Sequence, residues 1–245
     1  MQELTQKLQF IGVAKLTDLT HYVPSGYNTL RGVYTSNYIF NGDWNDELAS
    51  LDYTDRKQAP SDAEVAARDA ELGIETGYTY NSFKSATGES DFHGQAGDFW
   101  AEERPDDFKY TDSYYNCPKL QQIVDWFQCE KARVRIFKQA PGHHVKLHTD
   151  FDNQRKDGDT GETVRIFVQL SAAPSGAWYR YRTGDSDVSV NLQPGQFLIY
   201  NQDFVEHQVQ NVMDTAHYKF MIVAKVNDWV RNLANNETVK FIDIK

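Results

Sequence analysis

A chain of 245 residues, 40% of them hydrophobic, is long enough for one large domain with a substantial core, and the expectation is a single domain over 1–245. Its net charge of -10 argues against a general nucleic-acid binder, since affinity for a phosphate backbone rests on clustered Lys and Arg. No stretch nears the roughly 18 consecutive apolar residues of a membrane span, and the start, MQELTQKLQF, lacks the regions of a signal peptide, so a cytoplasmic protein without membrane contact is expected.

Residues 1–115 are rich in Tyr, Asp, Asn, Gly and Ser, with short apolar patches such as LQFIGVAKL and RGVYTSNYIF between turn signals like VPSGYN and FNGDWND. They read as a loop-rich part suited to a lid or a substrate region. Within it, SDAEVAARDAELG predicts a short helix: Ser61 is the N-cap, Glu64 completes a capping box and Gly73 is the stop. The Gly- and Ser-rich KSATGESDFHGQAGD that follows is a candidate lid.

Residues 116–130 predict a supporting helix. Pro118 lies in its first turn, and Leu120, Ile123, Val124 and Phe127 recur with the spacing of one apolar face, so it should pack on a sheet. Cys117 and Cys129, twelve positions apart, fit neither a thiolate metal site nor a disulfide framework and are expected as buried, reduced thiols. From 131 to 230 come strand-like runs, ARVRIFKQ, HVKLHTD, TVRIFVQLS, AWYRYRT, VSVNLQPGQFLIYN, EHQVQNV and AHYKFMIVAKV, separated by turns such as APG, KDGDTGE and QPG. Seven or so strands without intervening helices indicate an antiparallel sandwich or barrel. The charge is uneven as well. Residues 1–110 carry 19 acidic and 9 basic side chains, whereas 131–182 carry 10 basic and 5 acidic, which makes a pocket for small anions a candidate in the second region.

The chemistry concentrates in VKLHTDFDNQ. His148 and Asp150, at i and i+2, project from one face of a strand, and a third ligand from a distant strand of the same barrel is offered by His207 in FVEHQVQN. Two imidazoles and one carboxylate on one face of a metal form the facial triad of non-haem Fe(II) oxygenases, with open positions opposite. His143 and His144, just after the Pro-Gly turn, read as loop or supporting residues.

Context makes this more than a short motif. RVRIFKQAPGHHVKLHTD supplies an Arg-containing strand, a Pro-Gly turn and H-x-D; TVRIFVQL supplies a strand beginning with Arg after a polar loop; QPGQFLIYNQDFVEHQVQN supplies a second Pro-Gly turn and H-x-V-x-N. Residues from about 130 to 229 thereby resemble the aspartyl/asparaginyl β-hydroxylase-like family of Fe(II)/2-oxoglutarate-dependent oxygenases. The resemblance implies a mainly β fold, a double-stranded β-helix (a cupin-like jelly roll) with a few flanking helices, and Fe(II) held by His148, Asp150 and His207. It implies 2-oxoglutarate and O2 as co-substrates, with ascorbate as a supporting reductant, and hydroxylation of an unactivated C–H bond, most naturally of an amino acid, free or within a peptide. A carboxylate ligand at position 150 leaves no vacancy for halide, which favours hydroxylation over halogenation.

The far carboxylate of 2-oxoglutarate calls for a cation in a low-dielectric pocket. The resemblance makes Arg165 the first choice, its planar fork suiting a carboxylate. In the strand after H-x-V-x-N the family places an Arg and, two residues on, a His; here His217 and Lys219 stand at those positions, so a second cation is available. Other readings are weaker. Counted from Asp150, DFDNQRKDGDTGE lacks the Gly at the sixth position and the Glu at the twelfth of an EF-hand loop, and neither a phosphate-binding Gly loop nor a G-x-S-x-G elbow is present. Trp178, Tyr179 and Tyr181 fit a strand with one face in the core. The competing functions are a non-enzymatic cupin-like module holding a metal or small ligand, and a nucleobase oxygenase, which the acidic surface disfavours.

Overall fold

The computed structural model describes residues 33–55, 78–90, 108–148, 163–172, 177–183, 186–201, 205–234 and 240–245. In chain order these form β1 (Val33–Asn41), α1 (Asn45–Ser50), β2 (Thr54–Asp55), β3 (Tyr78–Ser85), β4 (Lys109–Tyr110), α2 (Asp112–Asn116), α3 (Pro118–Trp126), β5 (Lys131–Gln139), β6 (His144–His148), β7 (Thr163–Gln169), β8 (Ala177–Thr183), β9 (Ser186–Val190), β10 (Gln196–Tyr200), β11 (Glu206–Asn211), β12 (His217–Lys225), α4 (Asp228–Ala234) and β13 (Lys240–Asp243). The helix expected over 61–73 and residues 91–98 of the candidate lid lie outside the described residues.

Two sheets are built from these strands. The larger runs β13-β1-β10-β7-β12-β5-β3-β2, with β4 paired to β3; the smaller runs β6-β11-β8-β9. Strands β5 to β12 wind between the sheets, placing β5, β7, β10 and β12 in one and β6, β8, β9 and β11 in the other. That winding is a double-stranded β-helix. Among the described pairs every ladder is antiparallel except β1 with β13. Part of the segment expected as lid or substrate region therefore extends the larger sheet: β1 pairs with β10 and β3 with β5.

Period-2 alternation sorts the side chains of the larger sheet. Val164, Ile166 and Val168 of β7, with Phe220, Ile222 and Ala224 of β12, enter a core shared with Leu120, Ile123, Val124 and Phe127 of the α3 region. From the opposite face, Phe167, Met221 and Val223 join Tyr179, Tyr181 and Val209 of the smaller sheet. The helix packs on the sheet as its apolar stripe requires. Its first turn is held by a distant acid, since both carboxylate oxygens of Glu47 accept from Lys119 N and Leu120 N at 2.9 Å, satisfying amides that no carbonyl of the helix can reach. Both cysteines are free thiols; Cys117 is buried and Cys129 only half-buried, and burial pushes each thiol up to about 11.

The two Pro-Gly turns have distinct jobs. Gly195 has φ +81°, and a Cβ there would collide with the Phe40 carbonyl, because Phe40 N donates to Gly195 O at 2.9 Å and draws β1 against the turn. Gly142, φ +75°, donates its N–H to Asn211 O. The Asn211 side-chain amide lies 3.0 Å from Gln139 O, 3.1 Å from Ala140 O and 3.0 Å from Thr215 O, tying the β5–β6 turn to the β11–β12 turn. The Asn of H-x-V-x-N is thus a structural clamp. No helix among the described residues is long and apolar enough to cross a membrane.

Candidate metal centre

His148 ends β6 and His207 lies near the start of β11, and the two are direct partners in the ladder. Their rings stand 4.3 Å apart, centroid to centroid, at 46°. Ordinary alternation alone would not put both inside the barrel. On β11, His207 and Val209 are two apart and both buried; on β6 their partners His148 and Val145 are three apart, because the register shifts between them. The extra residue on β6 re-aims His148 onto the inward face, the familiar use of a β-bulge beside a site.

The tautomers follow from the backbone. His148 Nδ1 lies 2.7 Å from Lys146 O and His207 Nδ1 3.4 Å from Val205 O. A carbonyl only accepts, so each Nδ1 carries the proton and each Nε2 carries the lone pair. A backbone carbonyl that accepts from Nδ1–H and fixes the ring in this way is the usual support of a metal-binding imidazole. Two imidazoles on adjacent strands, both with Nε2 free to be the donor atom, could serve as two ligands of one divalent metal ion. Asp150 lies outside the described residues, two positions past the end of β6, and among the described residues no cluster of three or more His, Cys, Asp or Glu is assembled. His144 is exposed and His143 is buried, its Nδ1 3.1 Å from Gln139 Nε2, so neither joins the His148–His207 pair.

Behind the histidines the barrel is lined by aromatic rings. Tyr200 lies 5.1 Å from the His207 ring, Tyr181 5.1 Å from Tyr200, and Phe167 5.4 Å from Tyr200. At the far side stands Lys219, buried, its ammonium 4.7 Å from the centre of the Phe167 ring, 5.0 Å from Tyr179 and 5.7 Å from Phe137. Burial first, and the charge of Arg165 second, lower its pKa to about 7. Ring faces favour the cation but do not replace a counter-ion. Among the described residues no carboxylate pairs with Lys219, and none of the buried charged side chains there is acidic: they are Lys84, Lys131, Arg133, Arg135 and Lys219.

The other expected anion-binding residues differ in environment. Arg165 is half-buried, on the same face as Phe167 and Gln169, opposite Tyr200 on β10 and Val223 on β12. His217 is fully buried. Its Nε2 lies 2.8 Å from Gln169 Oε1, while Gln169 Nε2 donates to Ser171 O; the glutamine amide is therefore oriented oxygen-first and His217 donates from Nε2. Burial, with the charge of Lys219, pushes His217 down to about 3, so it is neutral at any ordinary pH. Tyr179 also donates to Gln169 Oε1, at 3.4 Å. Sequence reasoning placed Tyr179 and Tyr181 on a core strand without seeing that they line the space between the histidines and the lysine; their position opposite Val209 and His207 on β11 is what puts them there.

No family model matches the chain, and no curated protein matches it. Solved structures do. An oxidoreductase of the 2OG-Fe(II) oxygenase family from Burkholderia pseudomallei is 13% identical, with 77% of this chain and 94% of that one covered, at a TM-score of 0.41. A non-heme monooxygenase in its nickel complex is 16% identical, covering 47% of this chain and 54% of that one, at 0.35. A cupin domain from Bordetella pertussis is 18% identical, covering 40% and 84%, at 0.28.

Proposed function

We propose that the protein is an Fe(II)/2-oxoglutarate-dependent dioxygenase that hydroxylates an unactivated C–H bond, of an amino acid either free or within a peptide. The observation that carries this reading is the pairing, in one barrel interior, of two histidines presenting Nε2 lone pairs with a buried lysine that no carboxylate of the described residues neutralises. His148, Asp150 and His207 would hold the iron. When bound, the iron supplies oxidative decarboxylation of 2-oxoglutarate coupled to insertion of one oxygen atom into the substrate.

The chain's own contribution is binding, orientation and exclusion of water. Lys219 holds the far carboxylate, a charge-assisted bond strengthened by its dry surroundings. Arg165, half-buried on the same face, adds positive potential and is placed to meet a second carboxylate nearer the histidines. His217 does not serve as the cation: neutral and tied to Gln169, it fixes that amide and the floor around Lys219. The aromatic rings between histidines and lysine match the short methylene linker of a dicarboxylate. An amino-acid substrate, with a carboxylate of its own, suits a fold whose buried charged side chains, among the described residues, are all Lys or Arg.

The test is succinate release from 2-oxoglutarate by the Fe(II)-loaded protein with ascorbate, first without a substrate and then across amino acids and peptides. Slow uncoupled succinate formation is expected, stimulated by the true substrate. Metal and 2-oxoglutarate binding without any succinate would instead mark a cupin-like binding module.

A further inference from the structure

The one Asn-Gly pair of the chain is Asn41-Gly42, inside the turn signal FNGDWND. An asparagine followed by glycine is the dipeptide most prone to cyclise, because glycine has no side chain to screen its nitrogen and the backbone there turns freely. The fold sets this pair at the end of β1, with both residues exposed. Pairing with β13 does not lock it. Ile244 N donates to Asn41 O at 2.8 Å, so the ladder engages the Asn41 carbonyl, whereas the Gly42 N–H bonds to none of the described residues. The tether on the side chain is one exposed bond, Asn41 Nδ2 to Asp243 Oδ1 at 3.0 Å, of a kind that exchanges readily with water. The glycine itself is required. A Cβ on residue 42 would stand 3.0 Å from Ile244 Cβ and 3.1 Å from Ile244 O, so the close passage of the chain after β13 keeps glycine at this position and the reactive pair with it.

We propose that Asn41 is a deamidation site whose conversion loosens β13 from the larger sheet. The Gly42 nitrogen attacks Asn41 Cγ: a C–N bond forms, the Cγ–Nδ2 bond breaks, and the side-chain nitrogen leaves as ammonia with the proton given up by the glycine amide. Water then opens the cyclic imide at either carbonyl, giving aspartate or isoaspartate. The net change is asparagine plus water to acid plus ammonia, with no oxidant and no cofactor, and it is independent of the oxygenase reading. Both products put a carboxylate where an amide donated. Asn41 and Asp243 are direct partners in the parallel ladder, where like charges side by side oppose pairing. Isoaspartate also lengthens the backbone at that point and draws the residue 41 carbonyl away from Ile244 N. Among the described strands β13 pairs with β1 alone, so no second ladder holds it in place.

The test is peptide mapping by mass spectrometry of the full chain aged in mildly alkaline buffer, beside a synthetic peptide of residues 36–47. In the folded chain Asn41 is expected to convert at least about tenfold faster than the exposed Asn45, which precedes an aspartate. Hydrogen exchange of the aged chain and of Asn41→Asp reads the consequence. The Ile244 amide should exchange at least about tenfold faster than in the fresh protein, with the amides of β7 and β12 unchanged. An intact Asn41 in the folded chain while the peptide converts would overturn the proposal, because the fold would then protect the pair. Conversion with unchanged exchange at Ile244 would overturn the loosening of β13.

Discussion

The two faces of the larger sheet are made by the same strands and obey opposite rules. Toward the helices β7 offers Val164, Ile166 and Val168, and every one is fully buried among aliphatic and aromatic neighbours. Toward the smaller sheet the same strand offers Arg165, Phe167 and Gln169, and β12 adds Lys219, a buried cation whose pKa is driven down. One face is optimised for burial. The other keeps charges where burial opposes them, the cost expected when a site is built for a ligand that arrives later.

The sharpest way to break this comparison is to remove a histidine. His207→Ala should abolish succinate formation, a loss of at least about a thousandfold, and strip iron, while the unfolding midpoint of the metal-free protein hardly moves; metal analysis and urea unfolding check both halves. Retained iron and turnover would point back to His143 or His144. Next comes the cation. Lys219→Met should weaken 2-oxoglutarate about a hundredfold, and His217→Gln much less. The same Lys219→Met change should make the metal-free protein more stable, by on the order of 1–3 kcal/mol near pH 6, because a buried charge without a counter-ion is replaced by an apolar side chain of similar length.

On the helix side, Ile166→Ala should cost about 2–5 kcal/mol in urea unfolding with the 2-oxoglutarate affinity of the remaining folded protein unchanged. The subtlest test is pH. Burial, and then the charge of Arg165, lower Lys219 from its ordinary value near 10.5 in the unfolded chain to about 7 in the fold. The folded form therefore gives up its proton first, so this group's destabilisation is full below about pH 7 and is relieved progressively as pH rises toward 10.5. Ligand binding runs the other way: 2-oxoglutarate affinity should be highest below pH 7 and fall by up to about tenfold per unit above it, a profile that Lys219→Met should flatten. His217, already neutral from about pH 3 upward, contributes nothing to it.

Much of this was legible in the sequence where a local pattern decides the outcome. TVRIFVQL alternates so strictly that its two faces could be assigned residue by residue, and the α3 stripe from Leu120 to Phe127 named the residues that meet the sheet. The strand series gave an antiparallel sandwich or barrel, and the double-stranded β-helix winding came only with the family resemblance. Non-local causes were not legible. The β6 bulge that turns His148 inward depends on how β6 registers with β11, some 60 residues away, and the Glu47 cap of α3 joins segments 72 to 73 residues apart. In FNGDWND the turn signals hid α1, and α4 and β13 carry too few periodic residues to announce themselves. The preference for Arg165 rested on geometry suited to a carboxylate. What draws attention to Lys219 instead is a property no sequence displays, a fully buried ammonium beside three rings.

The meeting of Phe40 with Gly195 also constrains the order in which the fold can be assembled. Strand β1 lies between β10 and β13, so its ladder partners are about 160 to 200 residues further along the chain, and β1 has no partner until β10 has left the ribosome. Closing loops of that length comes late and slowly, because their entropy must be met before the ladder bonds reward it. The strands β5 to β12, whose turns are short by comparison, can pair first and present the finished rim of β10 as a template. Strand β1 is thus among the last to settle, and until β10 is in place its unpaired edges depend on the barrel, or on a chaperone, to keep them from pairing elsewhere.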